Sequence, residues 1–143
     1  MPIYAVDASV FVNAFNPYET GHDESYRLME LWRAQATPLV APTLLLPELA
    51  AAVARGRDDT ALGQCFAQEV RRRAHLVLVP LGRALAQHAA DVAATHRLRG
   101  SDAVYAAVAL RFGATLVTRD HEQRERLDPV LDARSPAEIL ETA

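Results

Sequence analysis

Apolar residues recur along the chain in short continuous runs separated by longer amphipathic stretches, and run length distinguishes two kinds of element. Ile3 to Val6, Leu39-Val40-Ala41, Leu76 to Val79 and Ala114 to Thr118 are rich in β-formers and do not alternate, as expected of strands buried on both faces. Between them the apolar positions take helical spacing. Tyr26, Leu28, Met29, Leu31 and Trp32 do so within Asp23 to Ala36, Leu62, Phe66 and Val70 within Asp58 to Arg73, and Leu85, His88, Ala89 and Val92 within Leu81 to Thr95. A helix is also expected from the residues after Asp7 through Phe15, ended by Asn16 and Pro17. Thr43 is expected to cap a helix through Val53, with Pro47 tolerated in its first turn because the N–H groups there have no internal partner. Near the C-terminus, His121 to Leu127 reads as a helical turn, Val130-Leu131 as an edge strand, and Ser135-Pro136-Ala137-Glu138 as a capping box.

Short strands alternating with helices predict an α/β fold, a three-layer α/β/α sandwich with a central parallel sheet, in one domain over residues 1–143. The segment around which the rest is organised is Gly100 to Leu110. Ser101 is placed to cap it, Gly113 to end it, and the only charge after the cap is Asp102. A helix that is apolar on every side has to be buried, and its alanines let it lie close against a sheet. Asp102 alone would be an ordinary helix N-terminal anion. Three other apolar segments, however, also deliver a lone acid: Asp7 ends the first strand, Glu48 opens the helix after the second, and Asp120 follows the fourth. Ligands of parallel sheets sit beyond the carboxyl ends of the strands, so all four acids are expected at one edge.

Composition narrows the chemistry. The 143 residues are 50% hydrophobic and 23% charged, ordinary for a globular domain with a full core. No apolar run is long enough to cross a bilayer, and residues 1–12 lack the basic start and long apolar stretch of a signal peptide, so a cytoplasmic protein with no membrane contact is expected. The lone Cys65 allows no internal disulfide and reads as a helix residue, with no histidine at a telling spacing. Trp32 and His88 read as packing residues, and Arg71-Arg72-Arg73 as charges offsetting a helix C-terminus. A net charge of −3 argues against a protein that simply coats nucleic acid. All 15 basic side chains are arginine, which excludes lysine-dependent chemistry such as Walker-type phosphate binding and Schiff bases.

Like charges about 4 Å apart repel by roughly 4 kcal/mol at an effective dielectric near 20, so converging carboxylates need a cation. Oxygen donors without a Cys/His cluster suit Mg²⁺, with Mn²⁺ as a substitute, rather than zinc. Such ions polarise phosphodiesters and activate water, with Ser9 and Thr118 placed to hold carboxylates or water. Arg97, Arg99 and Arg119, in the loops beside two of the acids, are candidate phosphate contacts. A small-molecule phosphatase using the same acids is disfavoured, because Ser9 stands where a second carboxylate is needed and no lysine is present.

Taken together, Tyr4-Ala5-Val6-Asp7-Ala8-Ser9-Val10, Pro42 through Glu48-Leu49, Gly100-Ser101-Asp102-Ala103-Val104-Tyr105-Ala106-Ala107 and Thr115-Leu116-Val117-Thr118-Arg119-Asp120 resemble the four acidic blocks of the PIN-domain ribonucleases, in order and across nearly the whole chain. The resemblance implies that Asp7, Glu48, Asp102 and Asp120 are the catalytic, metal-binding acids and Ser9 and Thr118 the accompanying hydroxyls. The chain's size resembles the VapC-type toxins of type II toxin–antitoxin pairs. That likeness implies a Mg²⁺-dependent endoribonuclease acting on RNA, a homodimer, and a small antitoxin whose tail covers the site in a groove between the helices Asp23 to Ala36 and Asp58 to Arg73. Two departures stand out: Ala8 where many relatives have threonine, and His121 and Glu122 where they carry a further acid or amide. The competing reading is a PIN-like binding or scaffold module without catalytic activity.

Overall fold

In the computed structural model, which describes residues 2–143, five parallel strands form one sheet in the order β3-β2-β1-β4-β5. β1 (Tyr4–Val6), β2 (Leu39–Pro42), β3 (Leu76–Val79) and β4 (Thr115–Val117) occupy the apolar runs of the sequence. The chain builds outward from β1 to β3, then returns to lay β4 on the other side of β1. The order therefore reverses between β1 and β4, which is where parallel sheets open a crevice. Helices flank the sheet to give the expected α/β/α sandwich.

The central helix is α6 (Gly100–Phe112), which touches β1, β2 and β4, with α5 (Arg83–His96) packed on it. Ala103 through Ala109 are all buried, as an apolar helix requires, and Gly113 closes it in the left-handed conformation at φ 60°. Around β1, α1 (Ala8–Phe15) packs on α2 (His22–Gln35) and on α3 (Leu45–Arg57), and α3 packs on α4 (Thr60–Arg71). Trp32 is buried in the core against the Tyr4 ring, 5.1 Å between centroids, and Cys65 is a free, exposed cysteine on α4.

Three local expectations are corrected. Thr43 does not cap α3; that helix starts two residues later without a side-chain cap, because the Thr43 hydroxyl accepts from Leu81 N–H at 3.2 Å instead. Ser101 does not cap α6 either. Arg99 holds the cap position in extended backbone, which pulls Ser101 into the first turn. The edge strand β5 is Ala133–Arg134 and not Val130-Leu131, because the N–H groups of Val130 and Leu131 both donate to Leu127 O in the turn that closes α7 (His121–Leu127), and pairing with Leu116 and Val117 begins only at Ala133. The capping box is as expected, with Ser135 and Glu138 exchanging hydrogen bonds at the start of α8 (Pro136–Glu141).

α3 and α4 meet at a glycine. A Cβ on Gly63 would lie 2.5 Å from the Ala50 carbonyl oxygen and 2.9 Å from the Ala54 methyl. Gly63→Ala gains about 1 kcal/mol of helix propensity, but backbone cannot yield as a side-chain tip can. A net loss of about 1–2 kcal/mol is expected, read from the midpoint of urea unfolding.

Candidate functional site

Each acid is placed by an element boundary. Asp7 follows β1 directly, and its N–H donates to Val117 O at 3.0 Å, extending the β1–β4 ladder by one residue. Its side chain then caps α1, accepting from Ser9 N–H at 3.3 Å, and also accepts from the Thr118 hydroxyl at 3.2 Å. Asp120 plays the same part after β4, capping α7 by accepting from Gln123 N–H at 3.2 Å. Glu48 and Asp102 sit in the first turns of α3 and α6, where the helix dipole favours an anion. Two acids are thus strand exits and two are helix entrances, and all four lie at one edge of the sheet.

Two of them, Asp7 and Glu48, are perturbed. Burial pushes the Asp7 carboxyl above its ordinary value, the charge of Asp102 adds to this, and the hydrogen bonds from Ser9 and Thr118 offset only part of it. Glu48 is likewise raised, first by desolvation and then by Asp7 and Asp102, against the lowering effect of a 2.5 Å hydrogen bond donated by Tyr105 Oη. That tyrosine is itself pushed up strongly by burial and by the same acids, so it remains a donor. The sequence marks it only as the one aromatic hydroxyl in an apolar helix, three residues after Asp102.

The nearest cation is Arg99. Its Nε lies 3.0 Å from Asp102 Oδ2 and its terminal nitrogen 3.2 Å from Asp120 Oδ2, on a side chain that is 78% exposed. Asp102, Asp120 and Asp7 all raise its pKa. Arg119 is turned away from the acids: it pairs with Glu19 at 2.8 Å and donates to Thr20 O, passing close over Gly21, whose φ of +85° and lack of a Cβ leave the room. Arg97 is exposed at the left-handed end of α5, and its carbonyl accepts from Arg126. The Ser9 hydroxyl accepts from Arg119 N–H at 3.3 Å, which ties the β1 exit to the β4 exit, while its hydrogen bond to Asp7 lowers that carboxyl.

Gln123, absent from the sequence reading, joins the acids from below. It is only 2% exposed; Oε1 lies 3.1 Å from the Thr118 hydroxyl, sharing its single proton with Asp7, Nε2 donates to Asp102 O at 3.3 Å, and its N–H is the one Asp120 caps. One signal for it was available: an amide three residues after Asp120 in a helix otherwise rich in charge.

As arranged, no three histidine, cysteine or acidic side chains among the described residues close tightly enough on one point to hold a metal ion. The donor chemistry nevertheless fits a hard divalent cation. Asp7 uses only Oδ2, Glu48 only Oε1 and Asp102 only Oδ2 in protein hydrogen bonds, so each keeps an oxygen free, and the cluster already draws in the positive charge of Arg99.

The PIN-domain family profile matches residues 4–127. No curated protein sequence matches the chain. Among solved structures, VapBC2 from Rickettsia felis bound to a promoter DNA fragment superposes with a TM-score of 0.70 at 20% identity, over 93% of this chain and 98% of that one. VapC20 from Mycobacterium tuberculosis, described as a sarcin–ricin loop cleaving toxin, gives 0.71 at 18% identity over 86% and 93%. DNA-bound VapBC from Salmonella typhimurium gives 0.72 at 13% identity over 95% and 99%.

The raised Asp7 carboxyl has a stability consequence. With its folded pKa above the unfolded value, the associated stability is fully present below the usual aspartate value of 3.8 and lost as pH rises through the folded one. Asp7→Asn, which keeps the cap, is therefore expected to raise Tm at pH 7 by about 2–6 °C in chelator-treated protein, with the gain vanishing in strong acid, as followed by thermal unfolding across pH. With its acids gathered at the sheet's switch point and the family profile spanning most of its length, the chain belongs to the PIN-domain family.

Proposed function

We propose that this protein is a divalent-metal-dependent endoribonuclease, the toxin of a type II toxin–antitoxin pair. The observation that carries the reading is the convergence of Asp7, Glu48 and Asp102 at the β1–β4 switch, each with a free oxygen, beside an exposed arginine paired with Asp102 and Asp120. Family membership and the toxin relatives give the chemistry its direction, since VapC20 is described as cleaving the sarcin–ricin loop.

In this reading Asp7, Glu48 and Asp102 would hold Mg²⁺, with Asp120 available to complete the set in place of its pairing with Arg99. Bound there, Mg²⁺ would polarise the phosphodiester, lower the pKa of a water for in-line attack and offset charge on the leaving oxygen. The protein's share is positioning. Tyr105 aims Glu48, Thr118 fixes Asp7, and Gln123 locks Thr118 to the first turn of α6. Arg99, once released, is the nearest cation for a substrate phosphate.

The antitoxin reading has its own surface. A groove of about 760 Å³ runs between α2 and α4, lined by Phe11, Phe15, Tyr26, Met29 and Phe66 with Arg33 and Arg73 at its rim. Apolar walls with a polar rim fit an amphipathic partner segment, and two of the toxin relatives are described as VapBC complexes. One observation favours the inactive-module reading: Arg99 already neutralises Asp102 and Asp120.

Two measurements decide between them. Asp102→Asn is expected to reduce Mg²⁺-dependent cleavage of single-stranded RNA by at least about a hundredfold; equal activity in both proteins refutes the nuclease. In thermal unfolding, Mn²⁺ in large excess should stabilise the wild type by mass action, about 2.7 kcal/mol at a hundred times Kd. Arg99→Ala should shift that response to lower Mn²⁺ concentration, because the competing guanidinium is gone. No metal-induced shift in either protein points to the inactive module.

A further inference from the structure

A second groove, of about 540 Å³, leaves the acids along α3. Ser9 and Glu48 lie at one end and Arg55 at the other, with Val12, Leu44 and Ala51 as apolar wall. Glu48 and Arg55 are seven residues apart on one helix, so they fall on nearly the same face, about 10 Å apart along the axis. Arg55 is exposed and makes no ion pair or side-chain hydrogen bond among the described residues. That sets it apart from Arg99 and Arg119, both held by carboxylates. Glu19, the other acid lining the groove besides Glu48, is neutralised by Arg119 and accepts from the Asn13 amide at 2.9 Å, so it leaves the groove's electrostatics to Arg55.

We infer that this groove is the subsite for the RNA nucleotide next to the scissile phosphate, with Arg55 binding that nucleotide's far phosphate. The inference rests on the ribonuclease reading and adds a direction to it: the strand runs along α3, away from the acids, toward the start of α4. The occupant follows from charge and continuity. A slot that opens into the acidic site, is walled by apolar side chains and ends in an unpaired guanidinium matches a sugar and base followed by a phosphate. An apolar peptide would leave that guanidinium unmatched. The spacing suits a phosphate beyond the one being cut, because Glu48 and Arg55 are two helical turns apart.

The test uses full-length protein carrying Asp102→Asn, so that RNA is bound without being cut, and reads the affinity for a short single-stranded RNA by fluorescence anisotropy across a salt series with Mg²⁺ present. Arg55→Ala should weaken binding about tenfold and lower the slope of log K against log salt by about 0.7, the loss of one phosphate contact. Arg55→Lys should restore the slope, because it returns the charge. Arg111→Ala, which removes an equal charge at the opposite end of α6, should leave both unchanged. A slope unaltered by Arg55→Ala, or altered equally by Arg111→Ala, overturns the subsite. Because RNA cleavage by the unmodified protein is scored separately, failure of the subsite with cleavage intact is distinguishable from failure of the nuclease reading itself.

Discussion

The structure depends on one electrostatic constraint: several carboxylates are brought together where the sheet reverses its order, at a place their mutual repulsion would empty if the backbone did not hold them. The restraint comes from the sheet. Asp7 is stitched to β4 by its own N–H, and Thr118 to β5 by a 3.0 Å bond to Arg134 O, so neither strand exit can relax away from the other. Burial then makes the charge more costly than in water, which is why Asp7 and Glu48 both lie above their ordinary pKa values.

Everything nearby answers that charge. The first turns of α3 and α6 present Glu48 and Asp102 at positive dipole ends, Tyr105 lends Glu48 a short hydrogen bond, and Arg99 reaches across from the α5–α6 connection to two acids at once. An exposed arginine is a weak and easily displaced partner, because solvent screens its pairs and its long side chain loses entropy in forming them. A divalent ion carries twice the charge and takes oxygen ligands directly. In the proposed reading, the exposed arginine would give way to such an ion.

The fold serves this edge in a second way. α6 is so rich in alanine and so fully buried that it has no freedom to slide, and this fixes where Asp102 emerges. Gly63 lets α4 seat closely on α3, which carries both Glu48 and Arg55. Core packing and site geometry are one problem here, because the helices that fill the sandwich are the ones whose first turns face the crevice.

The four main strands, the alternation with helices and the four lone acids were legible in the sequence, because run length, periodicity and isolated charge are local properties of a chain. The edge strand was misplaced because two residues of strand carry too little pattern to register without their partner. The caps assigned to Thr43 and Ser101 failed for a related reason: a hydroxyl takes whichever donor the fold brings near, and for Thr43 that donor is Leu81, 38 positions away. The contacts of Tyr105 with Glu48, Gln123 with Asp102, Arg99 with Asp120 and Arg119 with Glu19 appear only in three dimensions, since each joins residues far apart in the chain. The sequence by itself determined which acids exist and which elements deliver them. Tertiary structure decided which basic and amide groups answer them, because hydrogen bonds and ion pairs are set by distances in space, and those are fixed only when the sheet has closed.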